Sequence, residues 1–121
     1  MVIKQKKSSS LIYQWDAKMK NNTPYYAVIF TSKLVQQSDA YDTMAAKMAV
    51  LSSKHKGFLG MDSARSKVGI TICYWETLED IQNWKQNIEH QEAQQLGISD
   101  WYDYYNVRIC KVEREYEFTR S

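Results

Sequence analysis

Apolar positions along the chain change period four times, and each change marks an element. After Pro24 the run YYAVIFTS, rich in β-branched and aromatic residues, predicts a first strand over Tyr25–Ser32. Ser38 then stands as an N-cap, and Tyr41, Met44, Ala45, Met48 and Leu51 recur at helical spacing, with Gly57 as the C-cap position. From Phe58 to Trp75 the pattern returns to strands, FLGMDSAR and VGITICYW, joined at Ser66 and Lys67 by a tight hairpin connection. Thr77 caps a second helix, with Asp80 at the third position of a capping-box-like TLED. Leu78, Ile81, Trp84 and Ile88 form its apolar stripe, and Gly97 ends it. An aromatic turn, ISDWYDYY, leads to a last strand over Tyr105–Phe118.

The order strand, helix, strand, strand, helix, strand predicts an α+β, ferredoxin-like βαββαβ fold with an antiparallel sheet. Residues 1–22 stand apart. They are rich in Lys, Ser and Asn around one apolar cluster of Leu11, Ile12, Tyr13 and Trp15, and read as an N-terminal extension, partly mobile, ahead of a single domain over 23–121.

Neither strand one nor strand three alternates. Tyr25, Ala27 and Ile29 face one way and Tyr26, Val28 and Phe30 the other, and Ile70, Ile72 and Tyr74 likewise oppose Thr71, Cys73 and Trp75. Right-handed crossovers place both helices on one side, so the second apolar face needs a cover. A second copy of the sheet supplies it, and the expectation is a homodimer closed into an α+β barrel.

Composition narrows the function. Sixteen Lys and Arg balance fourteen Asp and Glu for a net charge of +2, interspersed along 121 residues, which argues against nucleic acid or a membrane surface as partner. No apolar run reaches the ~18 residues that span a bilayer, and no signal-peptide core opens the chain, so the expectation is cytoplasmic. The two cysteines, Cys73 and Cys110, fit no zinc spacing and lie on strands that flank strand one from opposite sides, about 10 Å apart, too far for a disulfide. No metal and no cofactor site is read from the residues. No nucleophile with a paired base, phosphate loop or carboxylate pair occurs.

The strand YYAVIFTS, the segment YDTMAAKMAVLSSKHKGFLGMDSAR, the block ITICYWETLEDIQNWKQNIEHQEAQQLG and the closing YNVRICKVEREYEF together resemble the antibiotic biosynthesis monooxygenase (ABM) domain, in its stand-alone bacterial form. The resemblance covers residues 25–118. It implies a dimeric α+β barrel and, as the leading expectation, oxygenation of an apolar or aromatic small molecule with no cofactor. A non-catalytic ligand-binding or structural homodimer is the alternative, and haem degradation the third reading. For the haem branch the resemblance implies a tryptophan on helix two, a histidine ten residues later and an asparagine on strand one. Trp84 fills the first place, but Gln94 stands in the second, and Thr31 and Ser32 carry no asparagine.

The candidate catalytic residues are Trp84, His90 and Arg65, and the candidate pocket residues are Trp75, Tyr74, Arg108 and Tyr104. Trp84, on the apolar stripe, either walls a pocket or fills the core. His90 falls roughly 170° from the stripe and faces solvent on a straight helix. His55, beside Lys54 and Lys56, reads as a partner for the C-terminal dipole of helix one. Arg65 and Arg108 each require an anion or a carbonyl, either Glu76, Glu113 or a substrate oxygen. Tyr102, Tyr104 and Tyr105 are hydrogen-bond donors to a ligand or parts of an interface.

Overall fold

The chain was examined as a computed structural model, in which residues 23–87 and 100–120 are described. The elements run β1 (Tyr25–Leu34), α1 (Asp39–Ser53), β2 (Phe58–Arg65), β3 (Gly69–Trp75), α2 (Leu78–Lys85) and β4 (Tyr102–Val112). The sheet has the order β2-β3-β1-β4 with every pairing antiparallel, the ferredoxin-like arrangement expected from the pattern.

Register turns the strands into rows that cross the sheet. Phe58, Trp75, Tyr26 and Lys111 stand side by side at one end, and Arg65, Gly69, Ser32 and Tyr105 at the other. Between them lie the rows Met61, Cys73, Val28, Ile109 and Ser63, Thr71, Phe30, Val107. All four rows share the face on which the helices pack. The core sits at the Trp75 end, where Trp75, Ile81 and Trp84 are buried and Met48, Leu51, Phe58, Val28 and Cys73 pack around them. The two cysteines flank β1 on opposite sides, Cys73 beside Val28 and Cys110 beside Ala27, and both are free thiols.

Both helices start where their caps dictate. The Ser38 hydroxyl accepts from the Tyr41 amide at 3.1 Å, and the Thr77 hydroxyl accepts from the Asp80 amide at 3.0 Å. In the second cap the Asp80 carboxylate accepts from the Thr77 hydroxyl at 2.8 Å rather than from its backbone, and Asp80 is thereby buried. Gly57 lies directly against that carboxylate with φ of +86°, and a side chain there would collide with it.

Four local expectations need correction. Helix α1 ends at the Lys54 cap, before Gly57, which instead shapes the turn into β2. His55 consequently turns inward: its ring stands edge-on to Trp84 and Trp75, at 5.4 and 6.2 Å between centroids, instead of meeting the helix dipole. Leu78 is exposed because it lies about 120° round the helix from Trp84, at the overhanging first turn. The last strand begins at Tyr102 and ends at Val112, so residues 113–120 follow the sheet without belonging to it. The expectations for Ile88, His90, Gln94, Gly97 and residues 1–22 lie outside the described residues.

Candidate functional site

Helix α1 is held at its ends. Tyr41 and Ser52 are its buried residues, while Met44, Ala45 and Ala49 between them face empty space and Met48 stands where the cavity meets the core. Beneath this span a cavity of about 750 Å³ opens between α1, α2 and the four rows of the sheet. Its lining is mostly apolar and aromatic, with Val28, Phe30, Met61, Cys73, Val107 and Ile109 as the floor. One polar step crosses it, where the Ser63 and Thr71 hydroxyls meet at 2.9 Å.

The two ends differ in chemistry. At one end the Trp75 and Trp84 indoles stack at 6.2 Å and 29°. The imidazole of His55 closes this group from behind, and its Nδ1 is buried with no hydrogen-bond partner. At the other end Arg65 lies against the bare Cα of Gly69, where any side chain would strike the guanidinium. Its Nη2 donates to the Ser32 hydroxyl and, at 3.4 Å, to the Tyr41 hydroxyl, and Nη1 approaches the Ser32 carbonyl at 3.5 Å. The guanidinium carbon also stands 5.5 Å from the centre of the Tyr41 ring. Tyr102 donates to the Tyr41 hydroxyl at 3.4 Å, and burial, then that hydrogen bond, pushes its own ionisation well above the ordinary phenol range. Ser32 is fully buried.

Candidates from the sequence divide accordingly. Trp84, Trp75 and Arg65 line the cavity. Six residues of β3 separate the Arg65 row from the Trp75 row, roughly 20 Å along the strand, so Arg65 and Trp84 do not form one cluster. Tyr74 and Arg108 lie off the cavity: each sits on the opposite face of its strand, because its neighbours Cys73, Trp75, Val107 and Ile109 take the cavity face. Tyr74 donates there to Asp62 at 2.8 Å. Tyr104 is exposed and also lies off it. Neither Glu76 nor Glu113 pairs with Arg65; among the described residues its partners are Ser32 and Tyr41.

Tyr102, named with Tyr104 and Tyr105 as a donor to a ligand or part of an interface, lines the cavity, whereas Ser32, Tyr41 and Gly69 were not singled out as pocket residues by the pattern. The legible signal was register. A hairpin closed at Ser66 and Val68 sets Arg65 opposite Gly69, a position without a side chain, and β1 brings Ser32 alongside.

Burial raises the Cys73 thiol from 9.0 to about 11. Its folded-state pKa is raised, so the folded state holds the proton more tightly; the associated stability is present below pH 9 and lost as pH rises toward 11. At pH 8 Cys73 is expected to react with a disulfide reagent on the order of a hundredfold more slowly than an ordinary exposed thiol. Stopped-flow thiol titration of a Cys110→Ser variant checks this, and a fast full-amplitude reaction would contradict it.

No protein-family model matches the chain. The uncharacterised protein YqjZ of Bacillus subtilis (strain 168) is 41% identical over 100 residues, covering 81% of this chain and 88% of YqjZ. The chain belongs to the YqjZ family. Solved structures show that the family's fold is that of ABM proteins. SnoaB of Streptomyces nogalater, described as a cofactor-independent oxygenase, superposes with a TM-score of 0.66 at 7% identity, over 75% of this chain and 95% of its own. A Bordetella bronchiseptica protein described as a candidate antibiotic biosynthesis monooxygenase gives 0.59 at 17% identity, over 72% of this chain and 95% of its own. A Nitrosomonas europaea protein of the same description gives 0.65 at 12%, over 73% and 89%. Among the described residues of this YqjZ relative, no helix is long and apolar enough to cross a membrane.

Proposed function

We propose that the protein is an oxygenase that encloses an apolar or aromatic small molecule between α1, α2 and the sheet and needs no metal or organic cofactor. The observation that carries this reading is the cavity beside Trp84, about 750 Å³ and lined chiefly by apolar groups, within the range of roughly 300–1,000 Å³ usual for small-molecule sites. A packed structural dimer would leave no such space. The likeness to SnoaB in fold supports the choice of reaction.

In such chemistry the substrate supplies the electrons. An acidic CH₂ group of an aromatic ketone loses a proton, the carbanion passes one electron to O₂, and the radical pair joins in a C–O bond. The hydroperoxide then loses water, so that CH₂ and O₂ become C=O and H₂O. The protein's part is to exclude bulk water, admit oxygen and hold the ring system, which the apolar floor of Val28, Met61 and Cys73 and the methionine-bearing α1 wall provide. Arg65 serves a substrate oxygen at the far end. His90, the third catalytic candidate, lies outside the described residues.

The test is oxygen uptake with anthrone- and quinol-type compounds. Uptake that depends on the protein and disappears in Ala45→Trp, which fills the cavity, is the expected result. Saturable binding of the same compounds without uptake would favour the non-catalytic ligand binder. A Soret shift on titration with haemin would favour the haem reading.

We further propose that the active form is a cytoplasmic homodimer, joined through the sheet face that carries Ala27, Ile29, Ile70 and Ile72. The half-buried Ile29, Ile70 and Ile72 support this reading, because a second sheet laid on them would take them out of water.

A further inference from the structure

We propose that Arg65 anchors a carboxylate, and that the substrate is therefore an elongated aromatic acid, with its ring system at the Trp84 end of the cavity and its carboxylate at the Arg65 end. The inference rests on the reading of the cavity as a ligand site and adds the class of ligand.

Three observations lead to it. First, the guanidinium lines the cavity without a counter-charge. Its partners are the hydroxyls of Ser32 and Tyr41 and the Ser32 carbonyl, all neutral, and Tyr102 behind them is held in its protonated form by burial. Asp42 also lines the cavity, but no ion pair joins it to Arg65. The described residues supply no anion to this half-buried cation, and a carboxylate entering the cavity would meet it with little competition from water.

Second, the arginine is placed rather than merely tolerated. The fully buried Ser32 and the 9% exposed Tyr41 hold Nη2, and the bare Cα of Gly69 makes the room. Fixing Nη2 leaves N–H groups of Nε and Nη1 for a ligand. A carboxylate oxygen that accepts one of these N–H groups makes a charge-assisted hydrogen bond, roughly twice as strong as one to a neutral oxygen.

Third, the separation sets the shape. The two ends lie roughly 20 Å apart along the strands, with the Ser63–Thr71 hydroxyl pair as a polar step in the sheet floor between them. A compact phenol reaches one end. A polycyclic or alkyl-linked aromatic acid reaches both.

The test compares 1-pyrenebutanoate with its uncharged methyl ester, following energy transfer from tryptophan to pyrene. The wild-type protein is expected to bind the acid about tenfold to hundredfold more tightly than the ester. Arg65→Gln should bring the acid down to the level of the ester while leaving ester affinity unchanged. Arg65→Lys should restore part of the preference. Gly69→Ala keeps the arginine but pushes the guanidinium off its seat, and it should lose the preference as well; circular dichroism verifies that each variant folds. Equal binding of acid and ester, an undiminished preference in Arg65→Gln, or no binding of either compound at millimolar concentration would overturn the proposal. Because the readout is binding, a preserved acid preference without oxygen uptake upholds the anchor and removes the oxygenase reading alone.

Discussion

Replacing Trp75 with alanine is expected to remove about 3–5 kcal/mol of folding stability, enough to leave a domain of this size marginal or unfolded at 37 °C. Trp75 is 1% exposed, the largest fully buried side chain, and it is the hub where Phe58, His55 and Trp84 meet. Its removal takes away both faces of that contact at once, since Phe58 stands edge-on at 5.5 Å and Trp84 stacks on the other side. The cavity beside it makes matters worse, because the void left by the indole merges with existing space and no neighbour can collapse into it. Urea unfolding followed by far-ultraviolet circular dichroism measures the loss. A loss below about 1 kcal/mol would show that Trp75 is not the centre of the core.

The second large effect concerns the open face. Ile72→Asp is expected to convert the proposed dimer to monomers at micromolar concentration, raising the dissociation constant by about a thousandfold or more. Ile72 lies on β3 between Ile29 of β1 and Asp62 of β2, at the middle of the sheet and away from the helices. In a symmetric face-to-face dimer the substitution acts twice, burying two carboxylates that each cost several kcal/mol when unpaired. Cys110 gives an independent readout. It is exposed in the single chain and shares the open face with Ala27, so dimerisation would shield it. The wild-type thiol is expected to react slowly at high protein concentration, and Ile72→Asp to release it. Sedimentation velocity that shows a 14.3 kDa monomer for the wild type would remove the dimer.

Much of this architecture was legible because it depends on local rules. Side-chain alternation fixed which residues of β1 and β3 share a face, the caps at Ser38 and Thr77 fixed both helix starts, and crossover handedness fixed the helices to one side. The cavity was not legible. Met44, Ala45 and Met48 recur at the spacing of a packed core stripe, and periodicity reports only which way a side chain points, not whether anything meets it there. Arg65 and Trp84 both line the cavity, yet their separation depends on register along six residues of β3, which no single-element pattern carries. Tyr74, Tyr104 and Arg108 attracted interest by chemistry alone, and strand parity or exposure sets them apart from the cavity. His55 escaped because the chain reverses at Gly57 and carries the ring inward.

Tyr41 at one end of α1, and Met48, Leu51 and Ser52 toward the other, fasten that helix and leave Met44 and Ala45 between them over the cavity. Substitutions at Met44 and Ala45 alter the volume and outline of the cavity without disturbing the core. Two neighbouring inward positions are thereby free to drift, and a lineage built on this scaffold can change the molecule it accepts by changing one helix turn. The roof, in such a protein, is the part that evolution can rewrite first.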